Sequence, residues 1–172
     1  RWVMRLLNGV INLLRSVPFL ILMIIVIPLS RAIVGTSIGT VASIVPLVIA
    51  SFPFVSRLVE TSMREVDAGV IEAAQSMGAT PLQIITKVMV PESMPSLIAN
   101  VTIAATTIMG YGAMAGIIGG GGGLGKIAIN YGYYRFNVVL EFFATALLVV
   151  LVQILQTVGT KLAIKCDKRI QK

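Results

Sequence analysis

Residues 67–91 read DAGVIEAAQSMGATPLQIITKVMVP, and the fold turns on whether this stretch is a plain connector or a structured corner. Its grammar is helical. Val70, Ile71, Ala74 and Met77 share one apolar face, with Glu72, Gln75 and Ser76 elsewhere. Gly78 stands where a C-terminal cap closes such a helix. Thr80 then opens a second helix as N-cap, with Pro81 at the first helical position and Gln83 completing a capping box. Leu82, Ile85, Val88 and Met89 form its apolar stripe, and Pro91 is expected to end it. Two short amphipathic helices meeting at a tight corner make a protruding elbow. Its apolar faces either dock another protein or pack against the membrane and each other.

On either side of the elbow, charge nearly vanishes. No charged residue occurs in 16–30, 32–56, 93–125 or 142–160. Uncharged apolar runs of roughly 18 residues or more read as membrane spans. The run 16–30 falls short of that, but Leu13 and Leu14 precede it with only Arg15 between. Four spans are therefore expected, at about 16–34, 37–56, 94–118 and 138–158, with the elbow in the loop 57–92. The composition agrees, for the 172 residues are 56% hydrophobic and 12% charged. Soluble domains carry about 25% charged residues.

The charges that remain show how the chain threads. The start (Arg1, Arg5, Arg15), the elbow loop (Arg57, Arg64, Lys87) and the tail (Lys161, Lys165, Lys168, Arg169, Lys172) hold eleven Lys and Arg. The other two loops hold three, Arg31, Lys126 and Arg135. The positive-inside rule then puts the start, the elbow and the C-terminus in the cytoplasm. The net charge of +7 is thus an orientation signal, and no nucleic-acid partner is expected. With no histidine and one cysteine, Cys166, the sequence excludes a histidine-based triad, a structural zinc site and an internal disulfide. No secretory signal is evident. In the first residues Arg1, Arg5, Asn8, Asn12 and Arg15 make a narrow polar stripe on a helix that lies on the membrane surface or leads into the first span.

A second stretch invites a different reading. In IIGGGGGLGKIAIN (117–130), Gly120 to Lys126 spells most of a P-loop, and Gly120, Gly122 and Gly125 satisfy the dinucleotide pattern G-x-G-x-x-G. Ile127 stands where the magnesium-binding Ser or Thr belongs, and no soluble strand precedes it. Five consecutive glycines also meet the second pattern by degeneracy, and the loop falls on the outer side. A turn of bare backbone is expected instead, ending the third span and shaping an outer gate at Gly121, Gly122 and Gly123.

The elbow also carries a family resemblance. Glu72-Ala73-Ala74, Gly78, Val88, Val90 and Pro91 resemble the EAA motif of ABC importer permeases, E-A-A-x-x-x-G followed after nine residues by I-x-L-P, with Val88 for Ile and Val90 for Leu. The stretches RSVPF (15–19), VGTSIG (34–39), EAAQSMGATPLQIITKV (72–88), GGGLG (121–125) and YGYYRFN (131–137) are similar, in the same order, to the methionine importer permeases. The resemblance covers nearly the whole chain. It implies an all-α integral membrane protein with the type I ABC importer transmembrane fold, a single domain 1–172 with four of the family's five helices, the first missing here. It implies a permease subunit rather than an enzyme: a homodimer in the bacterial inner membrane, with two cytosolic ATPase subunits and an extracytoplasmic substrate-binding protein. ATP and Mg would be used by the ATPase, and no cofactor by this chain. Glu72, Ala73, Ala74, Gly78, Val88 and Pro91 would form the ATPase-coupling element: Glu72 offering charge, the alanines close approach, Gly78 the turn. The substrate implied is an amino acid, methionine. Another small substrate of the same family is the alternative, and a secondary transporter or channel a more distant one.

Residues 94–118 make the least oily span. Asn100, Thr102, Thr106 and Thr107 either bond within the helix bundle or line the pathway at a homodimer interface. Gly112 and Gly116, like Gly35 and Gly39, have the small-x-x-x-small spacing of close helix packing. Met109 and Met114 read as packing residues. Glu141 reads as interfacial, and Tyr131, Tyr133, Tyr134 and Phe136 as an aromatic belt. A membrane-embedded enzyme would need paired acids or a histidine in the membrane, and neither is present.

Overall fold

The computed structural model describes residues 2–116 and 122–167, and among them there is no strand. A chain that must satisfy every backbone group without water has few other options. The helices are α1 (Trp2–Ser16), α2 (Phe19–Val34), α3 (Thr40–Arg64), α4 (Ala68–Ser76), α5 (Pro81–Gln83), α6 (Val90–Glu92), α7 (Met94–Ala115), α8 (Leu124–Lys126) and α9 (Val138–Cys166). Two π-helical segments intervene, π1 (Ile84–Met89) and π2 (Ile127–Tyr133). Helices α3, α7 and α9 are each long and apolar enough to cross a membrane, and α1 with α2 makes a fourth crossing if that bent pair is one span. The chain divides into two compact units, Arg1–Phe54 with Ala105–Ile154 and Val55–Ala104 with Leu155–Lys172.

In the first unit Val17 and Pro18 break the chain, because a residue before proline is driven out of the helical region. Segment Arg5–Ser16 and helix α2 meet at 113°. A small core forms where Phe19 stacks on Tyr111 with ring centroids 4.5 Å apart, joined by Met23 and Ala115. Most other long apolar side chains are exposed, including Ile24, Ile25, Phe142 and Phe143, as a surface bathed in lipid requires. Gly35 and Gly39 do not pack helices together, contrary to their spacing. Both lie in the α2–α3 connection at positive φ, +81° and +105°, so they make the turn. Of the second pair, Gly112 has open space at its Cβ position. Gly116 lies against the Lys126 backbone nitrogen, 2.8 Å from where a Cβ would stand.

Helix α3 contains Pro46 and Pro53, both buried. A proline inside a helix leaves the carbonyl four residues earlier without its donor. For Pro46 that carbonyl is Ala42, and the buried Ser30 hydroxyl of α2 donates to it at 2.5 Å. Ser30→Ala is therefore expected to lower stability by about 1–2 kcal/mol, since an orphaned carbonyl in an apolar setting costs more than an average hydrogen bond. Thermal unfolding in detergent checks it, and Ser30→Thr, which keeps the hydroxyl, should lose less.

The second unit holds the C-terminal part of α3, the elbow, the N-terminal part of α7 and the C-terminal part of α9. Ser62, fully buried on α3, accepts from the Ser96 hydroxyl at 3.1 Å and from Asn100 Nδ2 at 2.7 Å. Asn100 also donates to the Leu58 carbonyl at 3.2 Å. These bonds tie α3 to α7 on either side of the loop that carries the elbow. On the α3 end, Glu60 bridges Arg57 and Arg64 at 2.7 and 2.8 Å.

Candidate functional site

The elbow is built almost entirely by local capping. Asp67 starts α4 by accepting the Gly69 amide at 2.7 Å. At its other end the Gly78 N–H donates to the Gln75 carbonyl at 2.9 Å and the Ala79 N–H to the Ala74 carbonyl at 3.1 Å. That bond pair is a Schellman closure, and it needs the left-handed conformation of Gly78, φ +79°. Two residues later Thr80 Oγ1 accepts the Gln83 amide at 3.4 Å, while Gln83 Oε1 accepts the Thr80 amide at 2.9 Å. The corner thus has its orphan donors and acceptors met on both sides.

Pro91 does not end the second helix. The ladder widens to π register over Ile84–Met89, with the Val90 amide reaching back to the Ile85 carbonyl, and Pro91 sits in the first turn of α6. The chain bends only at Ser93, one residue before α7. A proline that has no N–H to give is accommodated by shifting the register ahead of it. Ile84, outside the expected stripe, is the buried residue, and Leu82 and Ile85 are exposed at 70% and 47%. On α4, Ala74 is buried and Met77 is 81% exposed.

The motif residues divide accordingly. Glu72, Ala73 and Gly78 present themselves on the outside of the elbow, Ala74 faces in, Val88 is half-buried and Pro91 is exposed. Behind the elbow, within the same unit, lies a cleft of about 670 Å³. Its apolar walls include Val70, Val88 and Ala163, and Glu65, Lys87 and Asp167 add charge. No sequence signal announces it, since its residues come from five separate elements.

The four candidate pathway residues are not gathered in one place. Asn100 spends its amide on Leu58 and Ser62, and the cavity beside it holds about 10 Å³, room for one water at most. Thr102 donates to the Ile98 carbonyl at 2.8 Å and abuts the buried Gly159. Thr106 and Thr107 are half-buried in the first unit. Among the glycines, Gly121 lies outside the described residues, and Gly122 and Gly123 are exposed just before α8. Tyr131, Tyr133, Tyr134 and Phe136 are all exposed, with Arg135 4.8 Å above the Tyr131 ring. Met109 is half-buried and Met114 exposed. Glu141 lies in the first turn of α9, where a carboxylate suits the helix dipole.

Because Asn100 is a tie and not a free polar group, Asn100→Leu is expected to weaken the α3–α7 contact by about 0.5–2 kcal/mol, the spread for polar side chains bonded between membrane helices. Denaturant titration in detergent checks it. An Asn100→Leu protein as stable as the parent would contradict the tie.

The family model for the binding-protein-dependent transport system inner membrane component matches residues 1–161. The chain belongs to this family. As such a transport component, it is a multi-pass membrane protein and a permease in kind rather than an enzyme. It is 52% identical over 96% of its length to a probable D-methionine transport system permease protein MetI of Vibrio cholerae, covering 73% of that protein. It is 47% identical over 94% of its length to a methionine import system permease protein MetP of Bacillus subtilis, covering 72% of it. Among solved structures it resembles a chain of the MetNI methionine ABC transporter in inward-facing conformations. That match has a TM-score of 0.91 at 43% identity and covers 95% of this chain and 76% of that one. The all-α type I importer fold expected of the sequence is thus the fold of this transport component.

Proposed function

We propose that this chain is the permease subunit of an ATP-driven importer for methionine. The observation that carries the reading is the 52% identity over 96% of the chain to a D-methionine permease, with the transporter-like fold behind it. In this reading two copies pair in a bacterial inner membrane, two cytosolic ATPase subunits hydrolyse ATP with Mg, and an external binding protein delivers the substrate. The elbow faces the cytoplasm, as the count of lysines and arginines favours, and the C-terminus lies on the same side.

The chemistry of the elbow suits a docking role. A capped corner presents the Glu72 carboxylate, the small Ala73 and the apolar Met77 and Leu82 on one protruding element. Charge gives orientation, the small residue lets another backbone come close, and the apolar side chains give up water on contact. Movement of the docked ATPase would reach α3 and α7 through the Ser62, Ser96 and Asn100 bonds. Thr106, Thr107, Gly122 and Gly123 remain the candidates for the pathway and its outer gate, with Gly121 beside them.

The test is uptake of labelled methionine into proteoliposomes holding the permease, its ATPase and its binding protein. ATP-dependent accumulation of methionine, and none without ATPase, is the expected result. Uptake of a different amino acid in its place would overturn the substrate, and gradient-driven uptake by the permease alone would overturn the importer reading.

A further inference from the structure

Helix α1 has the most uneven distribution of polar and apolar residues of the long helices in the chain. Arg5, Asn8, Asn12 and Arg15 run down one side, while Leu6, Leu7, Val10 and Leu13 stand exposed on the rest. Neither arginine is in an ion pair among the described residues. None is within reach of its own segment either, since residues 1–59 contain no Asp or Glu at all. Trp2, at the start of the helix, is 78% exposed.

The angle decides what such a helix can be. Helix α2 is apolar along Phe19–Leu29, with Ser30 and Arg31 only in its last turns, and segment Arg5–Ser16 meets it at 113°, closer to perpendicular than to a continuation. Were the two helices halves of one broken span, Arg15, next to the break, would sit in hydrocarbon without a counter-charge, which is costly. A protein segment laid over the leucines would hide the apolar face and leave the arginines unanswered. A helix of large moment, modest overall hydrophobicity and a cationic face instead has the composition of one lying flat at the lipid boundary.

We infer that α1 lies in the membrane interface, and that Arg5 and Arg15 bind the phosphate groups of anionic lipids. Leu6, Leu7, Val10 and Leu13 enter the acyl boundary, and the Trp2 ring sits at headgroup depth, where its apolar body and N–H are both accommodated. The positive face and the negative leaflet are complementary, and the exposed apolar face is what a bilayer covers. The inference rests on the membrane reading of the chain but not on its substrate. The uptake experiment and this one therefore fail separately.

Trp2 is the one tryptophan of the sequence, so its fluorescence reports α1 alone. The protein is reconstituted in phosphatidylcholine vesicles, and lipids brominated at shallow or deep acyl positions are introduced as either phosphatidylcholine or phosphatidylglycerol. The expected result is stronger quenching by shallow bromines. Brominated phosphatidylglycerol should associate more tightly than brominated phosphatidylcholine by about fivefold, the effect of one arginine at a membrane surface, Arg5 being one turn from Trp2. Arg5→Gln should bring that preference to about one with the depth profile unchanged, which separates lost charge from lost folding. Strongest quenching by deep bromines would overturn the proposal in favour of a broken span. Quenching by no lipid would mean that protein or water covers the face. Equal association of the two headgroups in the parent protein would remove the anionic lipid.

Discussion

Gly125→Ala is expected to abolish the folded protein, as read by loss of a monodisperse peak in detergent and of protein in the membrane fraction. A Cβ at this position would stand 2.6 Å from the Ala113 Cα and 2.8 Å from its carbonyl carbon, and closer still to its oxygen. All three atoms belong to the backbone of α7, so no rotamer change can relieve the clash. Overpacking typically costs about 1–3 kcal/mol when side chains can yield, and more when they cannot. Gly159 supplies the contrast. The three atoms nearest a Cβ there all belong to the side chain of Thr102, whose own Cβ is 2.7 Å away. Gly159→Ala should therefore destabilise the protein but recover in part when combined with Thr102→Gly, whereas no change of side chain at Ala113 rescues Gly125→Ala. Equal stability of the Gly125→Ala protein and the parent would show that the approach of α8 to α7 is looser than the structure has it.

Replacing Glu72 with Ala and Gly78 with Val together is expected to lower ATP-driven uptake by at least about tenfold while leaving the protein folded. Gly78 has φ +79° and open space around its Cβ position, so an added Cβ meets no neighbouring side chain and the penalty is conformational. For an L-residue the left-handed region costs roughly 1–2 kcal/mol, and β-branched residues suffer most. About 1.4 kcal/mol is a factor of ten in the population of the intact corner. Gly78→Asn, which tolerates that region, should keep much more activity than Gly78→Val. ATP hydrolysis measured beside uptake adds a further check, because on the proposed docking role a loosened elbow should let the ATPase turn over without moving substrate. Undiminished uptake in the double variant would remove the elbow from the mechanism.

What could be read from the sequence was what is settled within a few residues. The Gly78 closure and the Thr80–Gln83 box are decided by two or three neighbours, and both formed as their residues demand. Long uncharged stretches are similarly plain, because the solvent they imply leaves helices as the available answer. Pro91 was misread for a definite reason. A proline ends an α-helix but not a ladder that has already changed register, and it is Ile84 that is buried while Leu82 and Ile85 are exposed. Gly35 and Gly39 have a packing spacing, but spacing says nothing of φ, and both are turn residues. The sequence left Asn100 between a bond in the helix bundle and a place on the pathway, because its partner Ser62 lies 38 positions away and carries no motif. The cleft behind the elbow was invisible for the same reason, being assembled from residues that meet only after folding. Of the motif itself, the sequence placed the residues on one element, whereas the division into outward Glu72 and Ala73 and inward Ala74 required coordinates.

Because the corner is held by caps and backbone bonds, its outward side chains have little part in keeping its shape. Met77, Leu82 and Ile85 can change without disturbing the Schellman closure or the capping box. On the docking role proposed for the elbow, the surface offered to the ATPase can therefore change in sequence while the corner keeps its shape.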